Sequence, residues 1–179
     1  GGTLATGAAF VLPSVTNVTL FNGTTLLLNH NQSVNNLSMT PTAAITLAGA
    51  TTLAFNTAGL NGVISGAGGL IKNGVGIATL SGANTYTGGT TVNGGTLRVA
   101  NTVGSGTGTG AVTVNGGILG GTGIITGAVT VNGGGTISPG TASSIGTLTL
   151  ASSPTLSGTT SVKINRNGGA FLADKLIRS

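Results

Sequence analysis

The sequence has one imidazole and one carboxylate side chain for proton-transfer chemistry, His30 and Asp174. There is one histidine, one acidic residue and no cysteine in 179 residues. A catalytic triad would have to use both, with base and orienting acid in hydrogen-bond contact beside a nucleophile. Glycoside hydrolysis needs two carboxylates and the chain has one. Calcium-binding glycine-rich repeats need an aspartate in every repeat, and a zinc site needs several His or Cys ligands. The run GSGTGTG at 104–110 has the glycines of a phosphate-cradling loop. It lacks a following Gly-Lys-Ser/Thr and a helix to present its N-terminus, so it reads as a flexible corner. Thr19, Thr46, Thr113, Thr130 and Thr149 point outward in strand-like pieces and suggest a threonine ladder. Ice-binding arrays need two such residues per coil at regular spacing, so scaffold is the better reading. The expectation is no catalytic residue, no cofactor and no metal.

The elements that would carry any such residues are strands. Glycine numbers 35 and charged residues make up 4%, whereas Val, Leu, Ile and Ala keep the apolar content at 39%. Strong helix formers are nearly absent, and β-branched residues alternate with Thr and Asn. Pieces such as Val18-Thr19-Leu20, Val112-Thr113-Val114, Val129-Thr130-Val131 and Val162-Lys163-Ile164 place two aliphatics on one face. Each is short and is followed by Asn-Gly, Gly-Gly or Ser-Gly. VTVNGG occurs at 112–117 and 129–134, and TTVNGG at 90–95. Asn93, Asn115 and Asn132 thus hold one position in a repeating unit, which predicts stacked coils with asparagine ladders at their corners. The predicted core columns are Val92, Leu97, Val99, Val112, Val114, Val129, Val131, Leu148, Leu150, Val162 and Ile164. The segment 30–36 reads as a polar excursion between coils, and Pro41 and Pro154 fall between strands.

The net charge of +5 comes from Lys72, Arg98, Lys163, Arg166, Lys175 and Arg178. They are scattered, aromatics are 3%, and the footprint of a nucleic-acid binder is missing. These cations read as solubilising surface charge. No segment reaches the roughly 20 apolar residues of a membrane-spanning helix. The start has neither Met nor a basic region, so the chain reads as a piece of a longer protein. The closing 174–178 reads as a strand without a cap. It is expected to fray, or to stack onto the first coil of another copy, where Phe10, Val11 and Leu12 are apolar.

Residues 80–101, LSGANTYTGGTTVNGGTLRVAN, resemble the passenger-associated transport repeat of bacterial autotransporters. The preceding GGLIKNGVGIATLSG at 68–82 resembles its usual lead-in, with Lys72 at the typical lysine position. GAVTVNGGGTISPGTASSIGTLTL at 127–150 resembles the segment that commonly follows, and LADKL at 172–176 is similar to a later strand of the family that often carries an Asp. The resemblance implies an all-β fold, a right-handed parallel β-helix or β-solenoid; at roughly 20 residues per coil the chain would make about eight to nine coils, with 1–59 as less regular coils continuous with a passenger-repeat-like part at 60–179. It implies that Gly82, Asn84, Tyr86, Gly88, Gly89, Thr90, Val92, Gly94, Gly95 and Leu97 are structural motif residues, Tyr86 packing at a coil corner rather than binding a ligand. It further implies a secreted, non-catalytic stalk that acts as spacer and as folding and export element. Its partner would be an outer-membrane β-barrel in the same parent chain, and its place the surface of a Gram-negative bacterium. The competing reading is a self-assembling fibre or adhesin subunit. No nucleic acid and no small-molecule substrate is expected.

Overall fold

Alternating aliphatics can be buried on one face of a strand only if something covers that face, and here three faces turn their aliphatics toward one shared core. The structure is a computed structural model that describes residues 2–6, 12–167 and 170–179; Phe10 and Val11 lie outside them. The chain is a β-solenoid of about eight turns built from parallel strands.

One coil shows the plan. Thr52–Leu60 runs along the first face, bends at Asn56 and continues along the second face. A turn at 61–62 leads to Val63–Gly66 on the third face, and Gly69–Lys72 then reopens the first face one coil further on. Thr52, Leu53, Ala54 and Phe55 pair there with Gly69, Leu70, Ile71 and Lys72. Because the register is kept from coil to coil, inward residues stack on inward residues. Val34, Phe55, Lys72, Val92, Val114 and Val131 form one first-face column. Leu20, Met39, Leu60, Leu80 and Val99 form a second-face column. Leu26, Ile45 and Ile64 form a third-face column. Each fully enclosed aliphatic contributes about 1.5–3 kcal/mol relative to exposure, so the columns supply most of the driving force.

The predicted core residues from Val92 to Leu150 are all buried. Val162 and Ile164 are not, at 47% and 71% exposed. Ile164–Asn167 pairs antiparallel with Ala170–Ala173 in a local hairpin, which leaves the solenoid between Thr159–Thr160 and Lys175–Arg178. Their alternation is that of a core strand, but no coil lies beneath them. Lys175–Arg178, at the predicted cut-off end, is itself a coil strand paired with Thr147–Leu150.

The polar excursion expected at 30–36 is also corrected. Gln32–Met39 is a strand, and only 29–31 lie between strands. Gln32 and Val34 point inward, which the run of polar letters conceals. Nor do the corner motifs always break the strands. Val112–Gly121 and Val129–Pro139 each continue through Asn-Gly-Gly, with a register shift between Val114 and Gly116.

The corner between first and second faces carries the asparagine ladder, and it is longer than the three predicted members. Asn35 donates to Asn17 and Asn56 to Asn35, each at 3.3 Å. Further along, Asn93 donates to Asn73, Asn115 to Asn93 and Asn132 to Asn115 at 3.0, 3.1 and 2.7 Å. These bonds span 17 to 22 residues of sequence and mark the coil length. The five outward threonines do not make one ladder. Thr113 and Thr130 stack with Thr91 and Thr155 on the first face, whereas Thr19 lies on the second and Thr46 and Thr149 on the third.

Candidate functional site

The motif residues of 82–97 occupy one coil and its contacts with the coils on either side. Gly82 and Gly88 sit where backbones nearly touch. A Cβ on Gly82 would come within 2.0 Å of the Gly62 carbonyl oxygen, and one on Gly88 within 2.5 Å of the Gly68 backbone. Gly89 and Gly95 have φ of 85° and 63°, the left-handed region that side chains avoid. Val92 and Leu97 face the core.

Asn84 is buried and spans three coils. Its Oδ1 accepts from the Ile64 N–H at 2.8 Å, and its Nδ2 donates to the Gly106 carbonyl at 2.7 Å. One side chain thus satisfies a backbone donor in the coil before and an acceptor in the coil after. Asn101 makes a shorter bridge one coil on, accepting from the Ile124 N–H of the following coil and donating to the carbonyls of Val103 and Gly104 in its own. Tyr86 is fully enclosed, and its hydroxyl lies 2.6 Å from Thr90 Oγ1. Burial raises its phenol pKa well above the ordinary value, and the Thr90 hydrogen bond opposes this only in part.

The 104–110 run is not a flexible corner. Ser105 and Thr107 are buried, the Ser105 carbonyl accepts from the Asn84 N–H, and the Gly106 N–H donates to the Ile124 carbonyl. Ser105 Oγ also accepts from the Thr126 N–H. Its glycines let the chain lie flat between two coils, and the same composition in an open loop would be mobile. Tertiary hydrogen bonds decide between the two.

Lys72 corrects the reading of its charge as solubilising. Its side chain is enclosed in the first-face column between Phe55 and Val92, and the ammonium turns to the corner. There it donates to the carbonyls of Asn73, Gly74 and Gly94. Burial lowers its pKa from the ordinary lysine value. The outward run of cations therefore has one fewer member than the sequence suggests.

His30 and Asp174 are far apart in the solenoid. His30 is exposed beside the second and third of the described coils, and Asp174 is enclosed near the last. Asp174 Oδ2 lies 2.5 Å from Lys163 Nζ and accepts from the Lys163 N–H, whereas Oδ1 accepts from the Gly146 N–H. Burial works to raise its pKa, but these partners, the Lys163 ammonium first, outweigh it and hold the carboxyl below its ordinary value. The acid clamps the base of the exposed hairpin to the third face. Among the described residues no cluster of three His, Cys, Asp or Glu is placed to hold a metal.

Residues 70–99 match the family model of the passenger-associated transport repeat. The chain carries an autotransporter passenger repeat. The match begins with the strand that bears Lys72 and ends with the strand that bears Val99, so it comprises one full coil and the first and second faces of the next. The repeat is a structural unit and not a catalytic one. An autotransporter repeat implies linkage to a β-barrel translocator in the parent chain and secretion to the surface of a Gram-negative bacterium. No curated protein and no solved structure gives a significant match to the chain.

The buried lysine, the Asn84 and Asn101 bridges and the hairpin clamp were not legible as such in the sequence. The available signal was the position of Asn84 and Lys72 at inward parity, where an amide or ammonium must find backbone partners.

Proposed function

We propose that this chain is a non-catalytic stalk segment of an autotransporter passenger, serving as spacer and as folding and export element. The observation that carries the reading is the continuity of the coil-to-coil pairing through the passenger repeat. Thr90, Thr91 and Val92 pair with Leu70, Ile71 and Lys72 on one side and with Val112, Thr113 and Val114 on the other. Each coil is thus a template for the next, and a chain emerging in sequence can fold coil by coil. Residues 1–59 and 60–179 act as one solenoid, a reading supported by the pairing of Ala44–Leu47 with Val63–Gly66 across that boundary. Gly82, Asn84, Tyr86, Gly88, Gly89, Thr90, Val92, Gly94, Gly95 and Leu97 act structurally, setting corners, close approaches and core. The barrel of the parent chain anchors the stalk, and the solenoid holds what lies beyond it away from the cell.

The test is surface display of the parent chain carrying Gly88→Val and Gly89→Val. Loss of a protease-resistant passenger at the surface, with the barrel still in the outer membrane, is the expected result. Undiminished display of a resistant passenger would refute the folding and export role.

A further inference from the structure

On the outward side of the second face, strand register creates a notch. Thr79, Arg98, Gly120 and Ser138 follow one another along one outward column, and Ile77, Thr96 and Ile118 along the next. Gly120 has no side chain to fill the place between Arg98 and Ser138. The excursion through Thr141 closes the far end, leaving a cleft of about 130 Å³. Ile77 and Ile118 expose apolar surface at its rim, at 59% and 38%.

Arg98 is the charged group of this cleft. Its Nε donates to Thr79 Oγ1 at 3.2 Å, which fixes the guanidinium, and among the described residues Nη1 and Nη2 have no partner. The chain cannot supply a side-chain anion for them. Its one acid is Asp174, engaged by Lys163 and two backbone N–H groups.

We propose that this cleft binds a small monocarboxylate with an apolar body, the carboxylate on the Arg98 fork and the body between Ile77 and Ile118. A guanidinium matches a planar carboxylate with two parallel hydrogen bonds. A single cation on a mainly apolar wall suits a monoanion better than a phosphate dianion, which draws on several donors. The size is that of one ring, since an apolar cavity of about 150 Å³ accommodates benzene. The hydroxyls of Thr96, Ser138 and Thr141 are available at the cleft for the remaining carboxylate lone pairs.

Benzoate is the probe. Titrated into the full chain labelled with ¹⁵N, it is expected to give saturable shifts confined to the amides of Thr96, Gly120, Gly121 and Ala142. Benzyl alcohol, which keeps the ring, and acetate, which keeps the charge, are each expected to bind more weakly by about tenfold at least. Arg98→Gln is expected to weaken benzoate by about ten- to a hundredfold. Arg98 is partly exposed and points outward, so the variant should keep the wild-type amide spectrum away from the cleft. If it does not fold, Ile118→Ser serves as the second variant and should weaken benzoate but not acetate. The proposal is overturned if benzoate gives no saturable shift, if acetate binds as well as benzoate, or if the folded variant binds benzoate like wild type.

Discussion

Replacing Asn84 with alanine tests whether inward amides, and not only aliphatic columns, hold neighbouring coils together. The side chain is 3% exposed, accepts from the Ile64 N–H and donates to the Gly106 carbonyl. Truncation leaves one buried donor and one buried acceptor without partners. At about 1–3 kcal/mol for each unsatisfied group, the loss comes to about 2–6 kcal/mol. Asn93→Ala is the matched control. It removes the same side chain from the exposed ladder, where water replaces the lost bonds, and is expected to cost under about 1 kcal/mol. Urea unfolding reads the global cost, and hydrogen exchange of the Ile64 amide reads the local one. Asn84→Asp sharpens the test. Its carboxylate keeps the acceptor for Ile64 but sets an oxygen against the Gly106 carbonyl, whereas the protonated acid can donate there. Its folded pKa is therefore raised above the unfolded value of about 3.9. Relative to wild type, its deficit is smallest below about pH 4 and grows as pH rises through the folded pKa. An Asn84→Ala cost equal to that of Asn93→Ala, or an Asn84→Asp deficit independent of pH, would refute the bridging role.

The native Asp174 has the opposite linkage. Its folded pKa is depressed, so its contribution is present above the unfolded carboxyl value near pH 4 and is lost as pH falls through the folded pKa. Asp174→Asn should remove that acid-side slope in urea midpoints measured across pH. Gly121→Ala should cost about 3 kcal/mol or more in the same assay, since φ is 109° and the added Cβ would lie 2.0 Å from the Val99 carbonyl oxygen. Gly133→Ala, with nothing within 4 Å of its Cβ, should stay within about 0.5 kcal/mol of wild type. Val114→Asp should prevent folding, because an isolated carboxylate would be buried among Val92 and Val131, and Val162→Asp at its 47% exposed position should be tolerated, both read by circular dichroism and urea midpoint.

Much of the architecture is local in origin and so could be read from the letters. Alternating aliphatics closed by Asn-Gly-Gly determine strand, corner and coil length together, and repetition makes each coil's register depend on its neighbour's. Val92, Val114 and Val131 belong to one column because their surrounding residues repeat, and the ladder through Asn93, Asn115 and Asn132 follows from that spacing. The family resemblance rested on the same run, which lies across the matched segment 70–99.

What only the tertiary structure decided is where equal-looking residues end up once coils are stacked. Val162 and Ile164 alternate like Val129 and Val131, yet the hairpin held by Asp174 carries them into solvent. Lys72 and Arg98 are both cations in strands. Inward parity sends one to cap three corner carbonyls, and outward parity places the other beside the notch left by Gly120. The glycines of 104–110 would be mobile in an open loop and are fixed here by bonds to Asn84, Ile124 and Thr126. Local patterning sets the period of a solenoid, but polar groups find their partners across coils some 20 residues away, a distance that sequence alternation does not encode.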